Sequence, residues 1–136
     1  MTPLARGLLA TAVLVLGSVR PAAAAPVDDL LHRYQSQGAG PFSAAAGEKF
    51  WDTPHVDAAS GEPRKCALCH STNLSATGKH AVTGKAIKPL APSANPERLS
   101  DASKVEKWLE RNCKWTLGRS CTPQEKGDVL VMIRSR

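Results

Sequence analysis

The sequence predicts an all-α domain of about four to five short helices, and three observations carry that prediction. Apolar residues recur at i, i+3, i+4 and i+7 in short windows, as in Val27, Leu30, Leu31 and Tyr34. Cap and breaker residues bound those windows, with Ser43 and Thr122-Pro123-Gln124-Glu125 at starts and Gly38-Ala39-Gly40-Pro41 at a stop. The third observation is Cys66-Ala67-Leu68-Cys69-His70, a motif that brings such a small chain a second source of core.

The 136 residues allow one domain with one small core, and only six aromatic side chains are available to fill it. The CxxCH spacing points to a covalently attached haem c. Two intervening residues bring both sulfurs to one edge of the macrocycle for thioether links to its vinyl groups. His70 follows directly, and its imidazole falls beneath the iron as proximal ligand. A buried porphyrin then supplies the apolar surface that the chain lacks, so the apoprotein is expected to fold poorly. Two other readings use the same cysteines: a thioredoxin-like dithiol, and a zinc site formed with Cys113 and Cys121. The dithiol needs a βαβ context that is missing. Structural zinc usually takes a second closely spaced ligand pair, whereas seven residues separate Cys113 from Cys121.

Residues 1–25 read as a secretory signal, leaving 26–136 as the haem domain. Arg6 provides the charged start, Leu8 to Leu16 the apolar stretch, and Ala22 to Ala25 the small residues of a cleavage site. The apolar stretch is too short to span a bilayer, so no membrane span is expected in the mature chain. An exported, periplasmic chain suits covalent haem attachment and permits a disulfide. Losing Arg6 and Arg20 lowers the formal charge from +6 to +4, with 16 basic residues against 12 acidic ones. Lys79, Lys85, Lys88, Lys104, Lys107 and Lys114 are placed to surround a haem edge and steer an acidic partner, or simply to solvate the surface. Nucleic acid is not an expected partner, because no basic run is present.

Taken in order, the first helix carries the Val27 to Tyr34 stripe with Asp28 and Asp29 near its start; His32 lies off that stripe. Ser43 caps a second helix bearing Phe50 and Trp51, in which Gly47 marks where another helix crosses closely. From Ser71 to Ser100 the chain reads as loop, since Pro89, Pro92 and Pro96 exclude a long helix. A loop this long is expected to wrap the haem edge, with Ile87, Leu90 and Ala91 packed on it and Lys85 and Lys88 near the propionates. His80 is a further imidazole within it. Ser100 or Asp101 caps a third helix whose apolar stripe is Val105, Trp108, Leu109 and Asn112. An amide on an apolar stripe near a helix end requires a partner, either a backbone group or water at the terminus, or iron. With two cysteines committed to haem, Cys113 and Cys121 are left to oxidise together. The capping box Thr122 to Glu125 opens a final helix with Val129, Leu130 and Ile133 inward.

A His/Met electron carrier needs a distal methionine. Apart from Met1 there is only Met132, which the spacing assigns to the core of the last helix. Gly47-Glu48-Lys49-Phe50 resembles the N-terminal helix of class I cytochromes c. A wider set of residues resembles the SHP-type haem proteins, small class I cytochromes c with an asparagine axial ligand. These are the CxxCH site, Thr83-Gly84-Lys85, Pro89 to Ala94, Val105 to Leu109, Arg111-Asn112-Cys113 and Gly118 to Pro123. The resemblance implies a class I cytochrome c-like fold, Asn112 as distal ligand, and a Cys113–Cys121 disulfide. It also implies an asparagine that leaves on reduction, so that oxygen or nitric oxide binds. The expected function is a periplasmic monohaem protein, acting as a monomer, that takes electrons from a redox partner such as another c-type cytochrome, with or without redox turnover of the gas. A plain electron carrier that binds no exogenous ligand is the alternative.

Overall fold

A computed structural model describes residues 25–136, so all but the last residue of the expected signal lies outside the described residues. Helix α1 (Ala25–Ser36) buries the expected stripe of Val27, Leu30, Leu31 and Tyr34. α2 (Ala44–Asp52) starts at Ser43, whose hydroxyl accepts from the Ala46 N–H at 3.2 Å. A short antiparallel hairpin follows, β1 (His55–Val56) with β2 (Pro63–Arg64), and then the single turn α3 (Ala67–His70). A second hairpin, β3 (Gly78–Lys79) with β4 (Ala86–Ile87), lies inside the stretch read as loop. α4 (Ala102–Leu117) and α5 (Pro123–Arg134) complete the chain.

The core is the packing of α1, α2 and α5, joined by Leu74, Ala91 and Leu99 from the connecting segments. Val129, Leu130 and Ile133 point inward as the pattern predicts, and Met132 lies with them at 2% exposure. Leu30 and Leu130 are fully buried, each contributing about 1.5–3 kcal/mol of transfer free energy. At Gly47 a methyl group would sit 2.3 Å from the Asp128 carbonyl oxygen, which explains the glycine: α2 and α5 touch backbone to backbone there. The buried Asp128 carboxylate fixes this crossing. It accepts from the Ser43 N–H at 2.7 Å and from Gln124 Nε2 at 3.0 Å.

Two expectations change. α4 continues five residues past Asn112 and ends at Gly118, whose φ of 68° gives it a left-handed cap. Asn112 is therefore not a helix-end amide. The disulfide Cys113–Cys121 is present, but Cys113 lies within α4 and the bond reaches back from the segment after the cap. The other change is at the hairpins. β1 and β2 are two residues each, too short for alternation to register in the sequence. They are held by tertiary contacts instead: the Arg64 guanidinium stacks 4.6 Å from the Trp115 ring, donates to the Trp115 carbonyl at 2.9 Å and pairs with Asp57 at 2.9 Å.

Candidate functional site

A single turn such as α3 has no stability of its own, so its neighbours hold it. β3 lies directly on it: a methyl group at Gly78 would stand 2.4 Å from the Cys69 carbonyl oxygen and 3.2 Å from His70 Cα. From the same hairpin the Ala81 N–H donates to Cys69 Sγ at 3.3 Å. On another side the Trp51 indole, buried in α2, stacks at 5.5 Å and 41° to the His70 ring and donates from Nε1 to the Ser71 carbonyl at 2.9 Å. Ser71 leaves the turn with φ of 61°, a conformation that the Trp51 bond helps to enforce.

These contacts set the chemistry of the motif. Burial pushes the His70 imidazole down to about 4, and the nearby charges of Arg98 and His80 push in the same direction. His70 is therefore neutral at physiological pH, the form that coordinates metals. Its Nδ1 is buried without a hydrogen-bond partner. Burial also pushes the Cys66 thiol up to about 11, with the adjacent Cys69 adding to the effect. A thioredoxin-type nucleophile requires the opposite shift, and Cys66 and Cys69 are not joined to one another. The zinc arrangement also fails. Cys113 and Cys121 are committed to their disulfide, and among the described residues no three His, Cys, Asp or Glu side chains converge on a metal position.

On α4, Val105 and Leu109 pack against the core, whereas Trp108 is 48% exposed and Asn112 is exposed. Asn112 makes no side-chain hydrogen bond among the described residues. The expected apolar stripe thus divides, with one edge packed on protein and the other uncovered. His80 stands at the β3–β4 turn, where its Nδ1 accepts from the N–H groups of Val82 and Thr83 at 3.3 and 3.1 Å. His32 is exposed on α1. Of the six lysines, Lys114 pairs with Glu110 at 3.0 Å and the other five make no ion pair among the described residues. A cavity of about 370 Å³ opens beside Trp51 and Met132, but no motif side chain lines it.

Arg98 was not singled out by sequence reasoning. Its Nε donates to the Pro89 carbonyl and its guanidinium to the Lys88 carbonyl, both at 2.8 Å, so it clamps the loop that precedes it while its charge reaches His70. Nothing in the local pattern marks it, because both of its acceptors are backbone groups far back along the chain.

A helical fold built around a CxxCH turn, with a neutral, half-buried histidine and no competing thiol or zinc arrangement among the described residues, defines a class I-like c-type cytochrome. The chain belongs to the family described as "Domain of unknown function (DUF1924)", whose model matches residues 37–133, and within it to the SHP-type cytochromes. It is 36% identical over 135 residues to the cytochrome c-type protein SHP of Cereibacter sphaeroides, covering 96% of this chain and 98% of that one. It is 42% identical over 74 residues to cytochrome c'' of Methylophilus methylotrophus, spanning 54% and 51% of the two chains. Among solved structures, oxidized SHP, described as an oxygen-binding cytochrome c, superposes with a TM-score of 0.73. The two are 36% identical, with 81% of this chain and 96% of that chain covered. Oxidized cytochrome c'' from M. methylotrophus gives 0.72 at 32% identity, covering 82% and 95%. The cofactor of this class is one covalent haem c, and the thiol, thiol and neutral imidazole of the motif fit it.

Proposed function

We propose that this chain is an exported, periplasmic monohaem cytochrome, with residues 1–25 as its signal and 26–136 as its haem domain. In this reading it takes electrons from a redox partner and binds oxygen or nitric oxide when reduced. Cys66 and Cys69 hold the haem, His70 is the proximal ligand, and Asn112 is the distal ligand of the ferric state. The haem supplies a one-electron couple and a coordination position for a diatomic gas. The chain's own residues decide when that position opens. Trp51 and β3 hold His70 in one orientation, so the proximal side stays fixed. The Asn112 amide oxygen is a hard neutral donor, which would suit ferric iron and would be held weakly by the softer ferrous state, so that reduction would release it.

The observation that carries the reading is the uncovered edge of α4, where Trp108 and Asn112 lie exposed on an otherwise packed stripe. The amide there caps nothing, and the helix runs on beyond it. Oxygen binding described for the SHP relative supports the same conclusion. No described helix is long and apolar enough to cross a membrane.

The deciding measurement is the visible spectrum of the ferrous holoprotein before and after carbon monoxide. A high-spin spectrum that shifts on adding the gas is expected. A low-spin ferrous spectrum unchanged by carbon monoxide would assign the chain to plain electron transfer.

A further inference from the structure

Helix α4 separates its charges. Its acids are engaged on one side: Glu106 accepts from the Tyr34 hydroxyl and pairs with Lys126 at 2.5 Å, and Glu110 pairs with Lys114 and accepts from the Ser120 hydroxyl at 2.6 Å. Its other cations, Lys104, Lys107 and Arg111, make no ion pair among the described residues. Helical geometry puts Lys104, Trp108 and Asn112 in one i, i+4 row and Lys107 with Arg111 in the row beside it. Arg111 leans across: its guanidinium carbon lies 5.4 Å from the centre of the Trp108 ring. A permanent cation is thus held over an exposed indole, next to the one amide on that edge.

We propose that Arg111 makes the coordination position beside Asn112 selective for small monovalent anions, the class of azide and nitrite, over neutral ligands. The inference rests on the reading that Asn112 faces the haem iron. A guanidinium is charged at every physiological pH and is weakly hydrated, so little is lost when an anion displaces its water. Stacking on Trp108 restricts its rotamers in advance, which lowers the ordering cost of the contact. With haem held against this edge, the effective dielectric around Arg111 would fall below that of water and the attraction would strengthen accordingly.

The test uses ferric holoprotein, titrated in the visible spectrum with azide and, at mildly alkaline pH, with neutral imidazole. Arg111→Leu should weaken azide binding by about tenfold, within the range of a charge-assisted contact, and leave imidazole within about twofold. Arg111→Lys should restore part of the azide affinity, and its salt dependence should match that of the wild type. Equal losses for azide and imidazole would mean that Arg111 only packs on Trp108, and would overturn the proposal. So would unchanged azide affinity with a shifted reduction potential, the signature of a guanidinium paired with a haem carboxylate. Should the leucine variant fail to fold, Arg111→Gln keeps the polar stem and reads the same ratio. Carbon monoxide binding to the ferrous wild type is the separate control. Its absence would remove the opening reading of Asn112 and leave the azide to imidazole ratio to judge Arg111 alone.

Discussion

Asn112 concentrates the functional argument at the scale of one residue, because it is exposed, makes no side-chain hydrogen bond among the described residues and lies beside Trp108 on the uncovered edge of α4. Replacing it with alanine should remove the ferric sixth ligand and leave the fold intact, since no described hydrogen bond is lost. On the proposed ligation, azide should then bind the ferric variant faster than the wild type, in which the asparagine would have to leave first, while carbon monoxide binds both ferrous forms at similar rates. An alanine variant with the wild-type ferric spectrum would remove Asn112 from the iron. Gly47 makes the opposite case, a residue whose whole role is to be small. Gly47→Ala forces a methyl group into the Asp128 backbone, which overpacking makes costly by about 1–3 kcal/mol. A thermal melt should fall by about 5 °C or more. An unchanged melt would show that the α2–α5 contact is looser than 2.3 Å implies. Both residues stood out in the sequence, Gly47 by its place in a helix and Asn112 by its place on a stripe. Arg98 did not, because its role comes from two carbonyls that only the folded loop presents.

At the scale of elements, helix starts were legible, whereas the end of α4 and the short strands were not. The box at the start of α5 is present as read: Thr122 Oγ1 accepts from the Glu125 N–H at 3.2 Å, and the Glu125 carboxylate accepts from the Thr122 N–H at 2.7 Å. Hydrogen bonding to Arg119 holds Glu125 below its ordinary value of 4.5. A carboxylate lowered in the folded state contributes fully above its unfolded value and loses that contribution as pH falls through the folded one. Glu125→Gln should therefore lower stability by about 1 kcal/mol at neutral pH, and the gap to wild type should close as the solution is acidified. Denaturant midpoints at several pH values would show it, and a constant gap would exclude the carboxylate as the cause. The β3–β4 hairpin escaped notice for a physical reason. Two-residue strands carry no periodicity, and the turn between them is closed by His80 Nδ1 and by the fit of Gly78 on α3.

Over the whole molecule, charge is distributed unevenly in a way that follows the motif. Residues 63–96, which hold the CxxCH turn and both strands packed around it, contain no acidic residue, but they include Arg64, Lys65, Lys79, Lys85 and Lys88. Oxidation of the ferrous protein by an anionic inorganic complex should therefore slow as salt is raised, and oxidation by a cationic complex should quicken. Removing Lys79 and Lys85 together as glutamines should flatten both slopes more than removing Arg33 and Lys49 does. Equal flattening would assign the effect to net charge alone. The sequence by itself determined the helical class, the motif chemistry, the helix starts and the point on α2 where another helix crosses closely, because each depends on residues close in the chain or on a spacing that repeats. Only the tertiary structure decided that His70 is neutral, that Cys66 is no nucleophile, and which edge of α4 stays uncovered. Those properties arise from burial and from charges brought together across many residues, and no local pattern records which groups the folded chain takes out of water.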